Sequence, residues 1–425
     1  MSIVSFLKSL GPGLITGASD DDPSSIATFA QAGAKLGLGL LWTVVYLYPS
    51  IIVVQEICAR VGLLTGRGLA TIIEKKYSRK IVLPLIFLLI ANTINIGADI
   101  GAMAASTNLM LPQIPLNIFS IFFTIFILFA IIMIPYKKYV KILKYLTLSL
   151  LMYIITAIIV GGNWYQIFIA TIVPHIEFTT DFATMFVAIL GTTISPYLFF
   201  WQASEEVEEE VEHHKIKEIG SAKPKVSKKE IKSMRIDTAV GVGFAHLITG
   251  AIIITTAGSL HNNGITDIQS AEQAAKSLEP LVKSFPNSGE ISKSIFAIGI
   301  VGTGLLSIPV LAGSTAYAFS DIFKWKQGLS KKFGQAKAFY LIIILSGIIG
   351  LLINFVGINP IKALVYASVI NGVVSVPILF VIMKIANDKE ILKGNTNGRI
   401  TNIIGWLTFI IMSIATIIMF ITFGK

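Results

Sequence analysis

The chain has 425 residues, of which 54% are hydrophobic and 14% charged, with a formal net charge of +10 and a mean hydropathy of +0.77. A soluble globular domain carries about 25% charged residues and rarely exposes large apolar patches, so this composition excludes an ordinary soluble fold. The single cysteine, Cys58, excludes an intrachain disulfide and any multi-cysteine metal site; in its apolar stretch it reads as a small core residue.

A spanning helix needs about 20 mostly apolar residues. Eleven such stretches follow one another near 11–34, 38–63, 80–106, 116–136, 140–162, 182–204, 237–259, 290–320, 336–357, 361–384 and 400–423. Several are longer than the minimum and are expected to tilt or to extend past the bilayer. Before the first, Gly11-Pro12-Gly13 is reached with one Lys and no cleavage pattern, so that stretch is expected to act as its own insertion signal. Residues 1–425 are expected to form a single transmembrane domain.

Lys and Arg set the expected orientation. The loops after the second, fourth, sixth, eighth and tenth stretches carry most of them: Arg60, Arg67, Lys75, Lys76, Arg79 and Lys80; Lys137, Lys138, Lys141 and Lys144; the 205–236 loop; Lys324, Lys326, Lys331, Lys332 and Lys337; and Lys384, Lys389, Lys393 and Arg399. The opposite loops hold Lys35, Lys276, Lys283 and Lys293. This positive-inside bias puts the N-terminus in the cytoplasm and the C-terminus outside. It also accounts for the basic charge without a nucleic-acid partner.

The 205–236 loop starts with six Glu among Glu205–Glu212, followed by His213 and His214, and then turns Lys-rich. Such a charge run reads as a solvated helical extension with a flexible linker. The alternative is a metal-sensing site, since Glu209/His213 and Glu210/His214 share a helix face at i,i+4.

Two interruptions carry the chemistry. In the first stretch three aspartates, Asp20, Asp21 and Asp22, precede Pro23-Ser24-Ser25. A carboxylate at membrane depth is costly and is a functional hypothesis by default. Pro23 removes a donor and disfavours helix at Asp22, and unwound backbone in a membrane survives only where it lines a site or cavity. The freed carbonyls and the carboxylate are hard oxygen ligands for a cation. The other reading starts the helix after Pro23 and leaves the aspartates among headgroups. The sixth stretch repeats the device at Gly191-Thr192-Thr193-Ile194-Ser195-Pro196-Tyr197. Each interruption opens one half of a 5+5 layout, about 11–162 and 182–384, with an additional helix at 400–423. Paired breaks at corresponding positions point to a transporter's binding site.

Gly11-Pro12-Gly13, the Asp-Pro turn, Ile26-Ala27-Thr28 and Gln31-Ala32-Gly33 resemble the first helix of the Nramp family of divalent-metal transporters, and the sixth stretch resembles that family's sixth helix. The resemblance covers nearly the whole chain. It implies an all-α, LeuT-like fold of about eleven transmembrane helices, with broken helices 1 and 6 and the metal between them. Carried over by position, the site is Asp22, Ser25, the Thr192 carbonyl and Ser195, with Ser368 and Asn371 as further ligands or as ordinary packing residues.

The departures from the family pattern point to the cargo. The usual Asp-Pro-Gly-Asn is Asp22-Pro23-Ser24-Ser25 here, and the usual Met-Pro-His is Ser195-Pro196-Tyr197. Without the thioether, an all-oxygen site suits Mg²⁺, Ca²⁺ or Mn²⁺, and smaller side chains leave room for a partly hydrated Mg²⁺. This pattern is similar to the Nramp-related magnesium transporter branch. The family's acidic pair in helix 3 becomes Asn95 and Ala98, and its helix 6 histidines become Tyr197 and Gln202. Asp99 is next to the expected acidic place but about 100° away on an ideal helix.

The expectation is therefore a plasma-membrane carrier, not an enzyme, without cofactor and working as a monomer. It takes Mg²⁺ first and Mn²⁺ second into the cytoplasm by alternating access, without proton coupling. The alternatives are a sodium-coupled organic-solute symporter of the same fold and a non-transporting metal sensor. No P-loop, nucleophile elbow or zinc spacing supports an enzyme.

Overall fold

The computed structural model describes residues 12–77, 82–134, 149–392 and 394–422. Arg79, Lys80, Lys137, Lys138, Lys141, Lys144 and Lys393, with residues 140–148 of the fifth stretch, lie outside the described residues. In chain order the helices are α1 (Pro12–Asp20), α2 (Pro23–Leu36), α3 (Thr43–Thr65), α4 (Leu69–Tyr77), α5 (Val82–Met110), α6 (Leu116–Met133), α7 (Leu151–Val160) and α8 (Trp164–Ile172). They continue as α9 (Thr180–Thr193), α10 (Pro196–Glu212), α11 (Lys228–Ser259), α12 (Ala271–Lys276), α13 (Ser288–Phe323), α14 (Lys337–Ile353), α15 (Pro360–Ala386) and α16 (Arg399–Thr422). Among the described residues every regular element is helical, and each of the eleven apolar stretches carries helix. Among the described residues eight helical stretches are long and apolar enough to cross a bilayer, one of them, Thr180–Glu212, made of α9 and α10 together. The first stretch is divided between α1 and α2, and α14 is shorter than a full span.

Side chains left exposed on the outermost helices are apolar, among them Phe122, Ile125 and Phe129 of α6 and Ile403, Ile410 and Ile417 of α16. In water this belt would be a liability, whereas in hydrocarbon it is the required surface. The chain is an integral membrane protein. Its interior is built from close helix crossings: α5 packs on α13, α14 and α15; α10 on α3 and α13; and α11 on α1 and α2. Small residues make these approaches possible, as membrane helix packing requires. A β-carbon on Gly62 would overlap the Ala203 carbonyl, and one on Gly97 would come within 2.7 Å of the Gly350 oxygen.

Three segments depart from the sequence expectation. The acidic run after Ala203 is helical, but it is packed rather than solvated: Glu205, Glu206 and Glu210 are buried against the elements that α10 crosses. The helix ends at Glu212, and His214 takes a left-handed φ of 58°, so Glu210 and His214 do not share a helix face. Glu209 does meet His213, at 3.5 Å. Among the described residues no group of three or more His, Cys, Asp or Glu is arranged to hold a metal ion. The second departure is α8, which bends 119° away from α7 and is capped by Asn163, whose side chain accepts from the Tyr165 and Gln166 amides. The third is Arg60, counted from sequence among loop charges, which is 2% exposed because Glu56 and the 395–397 segment surround its guanidinium.

Candidate cation site at the two helix breaks

The first break is where Pro23 forbids a continuous helix. Asp22 sits there with φ −70° and ψ 169° as the N-cap of α2. One carboxylate oxygen accepts from the Ser25 amide at 2.6 Å and the Ser24 hydroxyl at 2.7 Å. The other faces Asn95 Nδ2 at 3.2 Å and the Tyr197 hydroxyl at 3.5 Å. Asp22 is thus fixed from three elements. An ionised carboxylate offers about four lone-pair sites, so this capping leaves room for a cation.

The second break is the Ile194–Ser195 link between α9 and α10, with Pro196 at the first helical position. Ser195 donates to the Gly191 carbonyl at 2.6 Å and the Thr192 carbonyl at 2.8 Å. Ser375 of α15 donates to the freed Ile194 carbonyl at 2.6 Å. The carbonyl ends of α1 and α9 both stop at these breaks, and helix C-termini carry partial negative charge.

The two breaks meet. The Ser25 hydroxyl contacts the Thr192 hydroxyl and donates to the Asp20 carbonyl at 2.6 Å. Thr28 donates to Ser368 of α15 at 2.9 Å, and Ser368 lies 3.5 Å from the Ser24 carbonyl. Asn371, one turn beyond Ser368, is 1% exposed and its Oδ1 has no hydrogen-bond partner. Gly191 sets the spacing of α9 against α15, since a β-carbon there would overlap the Ser368 carbonyl and the Gly372 backbone. Hydrogen bonds thus bring Asp22, Ser25, Thr192, Ser195 and Ser368 to one buried junction, with Asn371 one turn along α15 from Ser368.

Sequence reasoning undervalued two residues. Asn95, taken from the sequence as a lost acidic position, holds Asp22 directly. Asp99, expected to point elsewhere, is fully buried and accepts from Ser307 of α13 at 3.3 Å. The missed signal is i,i+4 spacing: Asn95 and Asp99 share one face of α5. Around the junction Asp20 Oδ1, Asn95 Oδ1, Asp99 Oδ1 and Asn371 Oδ1 are buried acceptors without a donor. A buried acceptor left without a partner is destabilising by roughly 1–3 kcal/mol. Among the described residues no Lys, Arg or His pairs with Asp20, Asp21, Asp22 or Asp99. An excess of buried oxygen acceptors without basic side chains is a chemistry suited to a hard cation.

The sequence matches the family described as "Natural resistance-associated macrophage protein-like", Nramp, over residues 13–422. The divalent metal cation transporter MntH of Clostridium acetobutylicum is 28% identical, over 98% of this chain and 91% of its own length. The protein of the same name from Ralstonia nicotianae is 24% identical, over 97% and 90%. Among solved structures, the Eremococcus coleocola manganese transporter superposes with a TM-score of 0.74 at 16% identity, covering 98% of this chain and 86% of that one. Mhp1, a nucleobase-cation-symport-1 family transporter, gives 0.56 at 9% identity, covering 97% and 92%. These likenesses show the LeuT-like fold with helices broken where α1 meets α2 and α9 meets α10. The chain is a member of the Nramp family.

Proposed function

We propose that the protein carries a divalent metal cation across the bilayer by alternating access, with Mg²⁺ favoured and Mn²⁺ next. The observation that carries this reading is the junction of the two breaks, where Asp22 and a surplus of unpartnered buried oxygens meet. Names of relatives support the cation class: the two MntH proteins are named divalent metal cation transporters and the Eremococcus coleocola protein a manganese transporter. The preference for Mg²⁺ rests on ligand chemistry. Asp22, Ser25, the Thr192 carbonyl, Ser195, Ser368 and Asn371 offer oxygen alone, and oxygen sites suit hard ions.

In this reading Asp22 supplies the charge and Asn95 orients it. The halves at about 11–162 and 182–384 move against each other around the site. Uptake runs into the cytoplasm across the plasma membrane, with the N-terminus inside and the C-terminus outside. The membrane potential drives it, at about 2.3 kcal/mol per charge per 100 mV. The protein works as a monomer without cofactor or catalysis.

One observation favours a second reading. Asp99 shares a face of α5 with Asn95 and keeps an unpartnered oxygen, so proton coupling through Asp99 is the competing mechanism. Flux in proteoliposomes with Mg²⁺, Mn²⁺ and Ca²⁺, with internal pH followed at the same time, separates the two. Metal uptake with constant internal pH is expected, and it should vanish in Asp22→Ala. Metal-driven acidification would establish the coupled reading instead. Wild-type rates in Asp22→Ala would remove the site, and Mn²⁺ flux without Mg²⁺ flux would remove the cargo preference.

A further inference from the structure

A second polar chamber lies away from the helix breaks. It is a half-open hollow of ≈620 Å³ between the turn after α3, helix α4, the 218–220 turn and the 324–331 segment after α13. Ligand pockets commonly hold about 300–1,000 Å³. Five cationic side chains, Arg67, Lys75, Lys324, Lys326 and Lys331, line it against three carboxylates, Glu74, Glu218 and Asp321, so the wall keeps an excess of positive charge.

Contacts tie the walls together and engage one of the cations, since Arg67 Nη2 donates to the Gly220 carbonyl at 3.4 Å. Gly220 donates to the Gly66 carbonyl at 2.7 Å, which joins two of the segments. Asp321 is occupied at both oxygens, by Gln327 Nε2 at 2.7 Å and the Thr71 amide at 3.2 Å. It therefore ties α4 to α13, and its charge still acts on Arg67 across the chamber. Glu218 lies 3.8 Å from Lys331. Among the described residues Lys75, Lys324 and Lys326 have no carboxylate within ion-pair distance. Burial, and then the charges of Arg67, Lys223 and Lys324, hold the Lys75 ammonium below its ordinary pKa, with Glu74 the weakest influence. Like charges gathered in a concave wall attract a polyanion.

Trp325 also lines the chamber, with its ring stacked on Phe323 at 5.0 Å and 19°. An aromatic face beside several ammonium groups matches a ligand that has both a planar ring and phosphates.

We propose that this chamber binds a nucleoside polyphosphate, with its phosphates among Lys75, Lys324, Lys326 and Arg67 and its base against Trp325. The physiological sense rests on the orientation proposed above, which turns the chamber to the cytoplasm. The binding itself does not depend on transport.

The test uses the full chain in detergent without divalent metal, so its failure and the failure of the transport reading are separate. ATP, inorganic triphosphate and adenosine are titrated calorimetrically, and ATP again in nanodiscs of phosphatidylcholine with or without phosphatidylglycerol. ATP is expected to bind, and Lys75→Glu, Lys324→Glu and the milder Lys326→Gln should each weaken it, the reversals at least tenfold. Trp325→Ala should weaken ATP but not triphosphate, and Lys389→Gln, on the surface elsewhere, should change nothing. Absent ATP binding, or unchanged affinity in both charge reversals, would overturn the proposal. So would equal ATP affinity in Trp325→Ala, or displacement of ATP by phosphatidylglycerol, which would make the chamber a lipid headgroup site.

Discussion

Asp22 holds two positions at once. It caps α2 through the Ser25 amide, as a helix N-terminus demands, and it presents charge to the junction with α9 and α10. Its identity was legible because an Asp-Pro pair at membrane depth has few structural excuses. Its partners were less legible, because Asn95 and Tyr197 come from segments 73 and 175 residues away and no local pattern announces them. Asp99 is the instructive case. An offset of about 100° from one neighbouring position suggested a side chain turned away, yet its spacing from Asn95 turns it toward the same face. The two positions make opposite demands on a test. In the uncoupled reading, Asp99→Asn keeps metal uptake within about threefold of wild type, since it removes no ligand charge, and internal pH stays flat in both proteins. A loss of more than about tenfold, a difference of about 1.4 kcal/mol, together with loss of a proton flux seen in wild type, would assign the coupling to Asp99.

At the scale of elements, the breaks were legible and the helix ends were not. Pro23 and Pro196 announce their interruptions by the chemistry of the imide ring. By contrast, α11 was expected near 237 and starts at Lys228, although Ser227 and Glu230 form a complete capping box. The charge-rich first turns hid that signal. Helix α8 falls between two of the apolar stretches, and its nine residues are too few to announce a span. Helix-to-helix distance is harder still to read, since a glycine looks alike in a loose and in a tight crossing. Gly191 belongs to a tight one. Gly191→Ala forces its β-carbon into the Ser368 carbonyl and the Gly372 backbone, which cannot rotate aside. Overpacking of this kind is destabilising by roughly 1–3 kcal/mol. A lower melting temperature in detergent is expected, together with weaker metal uptake, because Ser368 and Asn371 ride on the displaced helix. Gly334→Ala, where nothing lies within 4 Å of the added carbon, supplies the comparison and should melt like wild type. Equal melting of the two variants would show that α9 and α15 are less tightly set than their spacing requires.

Over the whole molecule, the distribution of charge was legible in outline and misleading in detail. The bias of Lys and Arg toward alternate loops gave an orientation, but it treated every cation as solvated. Arg60 is not. Its guanidinium is buried on α3, donates to the Asn395 carbonyl at 2.8 Å and to Asn397, and lies 3.3 Å from Glu56. Glu56 in turn accepts from Arg235 of α11 at 2.8 Å. Glu56 and Arg60 together thus join α3, α11 and the segment between α15 and α16, which the sequence separates by up to 341 positions from Glu56 to Asn397. The two arginines are unequal, because the Arg235 side chain is 55% exposed and that of Arg60 2%. Water can take over the solvation of Arg235 when its partner goes, whereas Arg60 has no such recourse. Removing one partner of a buried pair is destabilising by roughly 3–5 kcal/mol, while an exposed pair contributes about 0–1 kcal/mol. Glu56→Ala should therefore lower the melting temperature far more than Arg235→Ala, and the double variant Glu56→Ala with Arg60→Met should recover part of the loss by removing the stranded charge. Equal effects of Glu56→Ala and Arg235→Ala would mean that solvent reaches Arg60, and that the three elements are held by helix packing without this ionic junction.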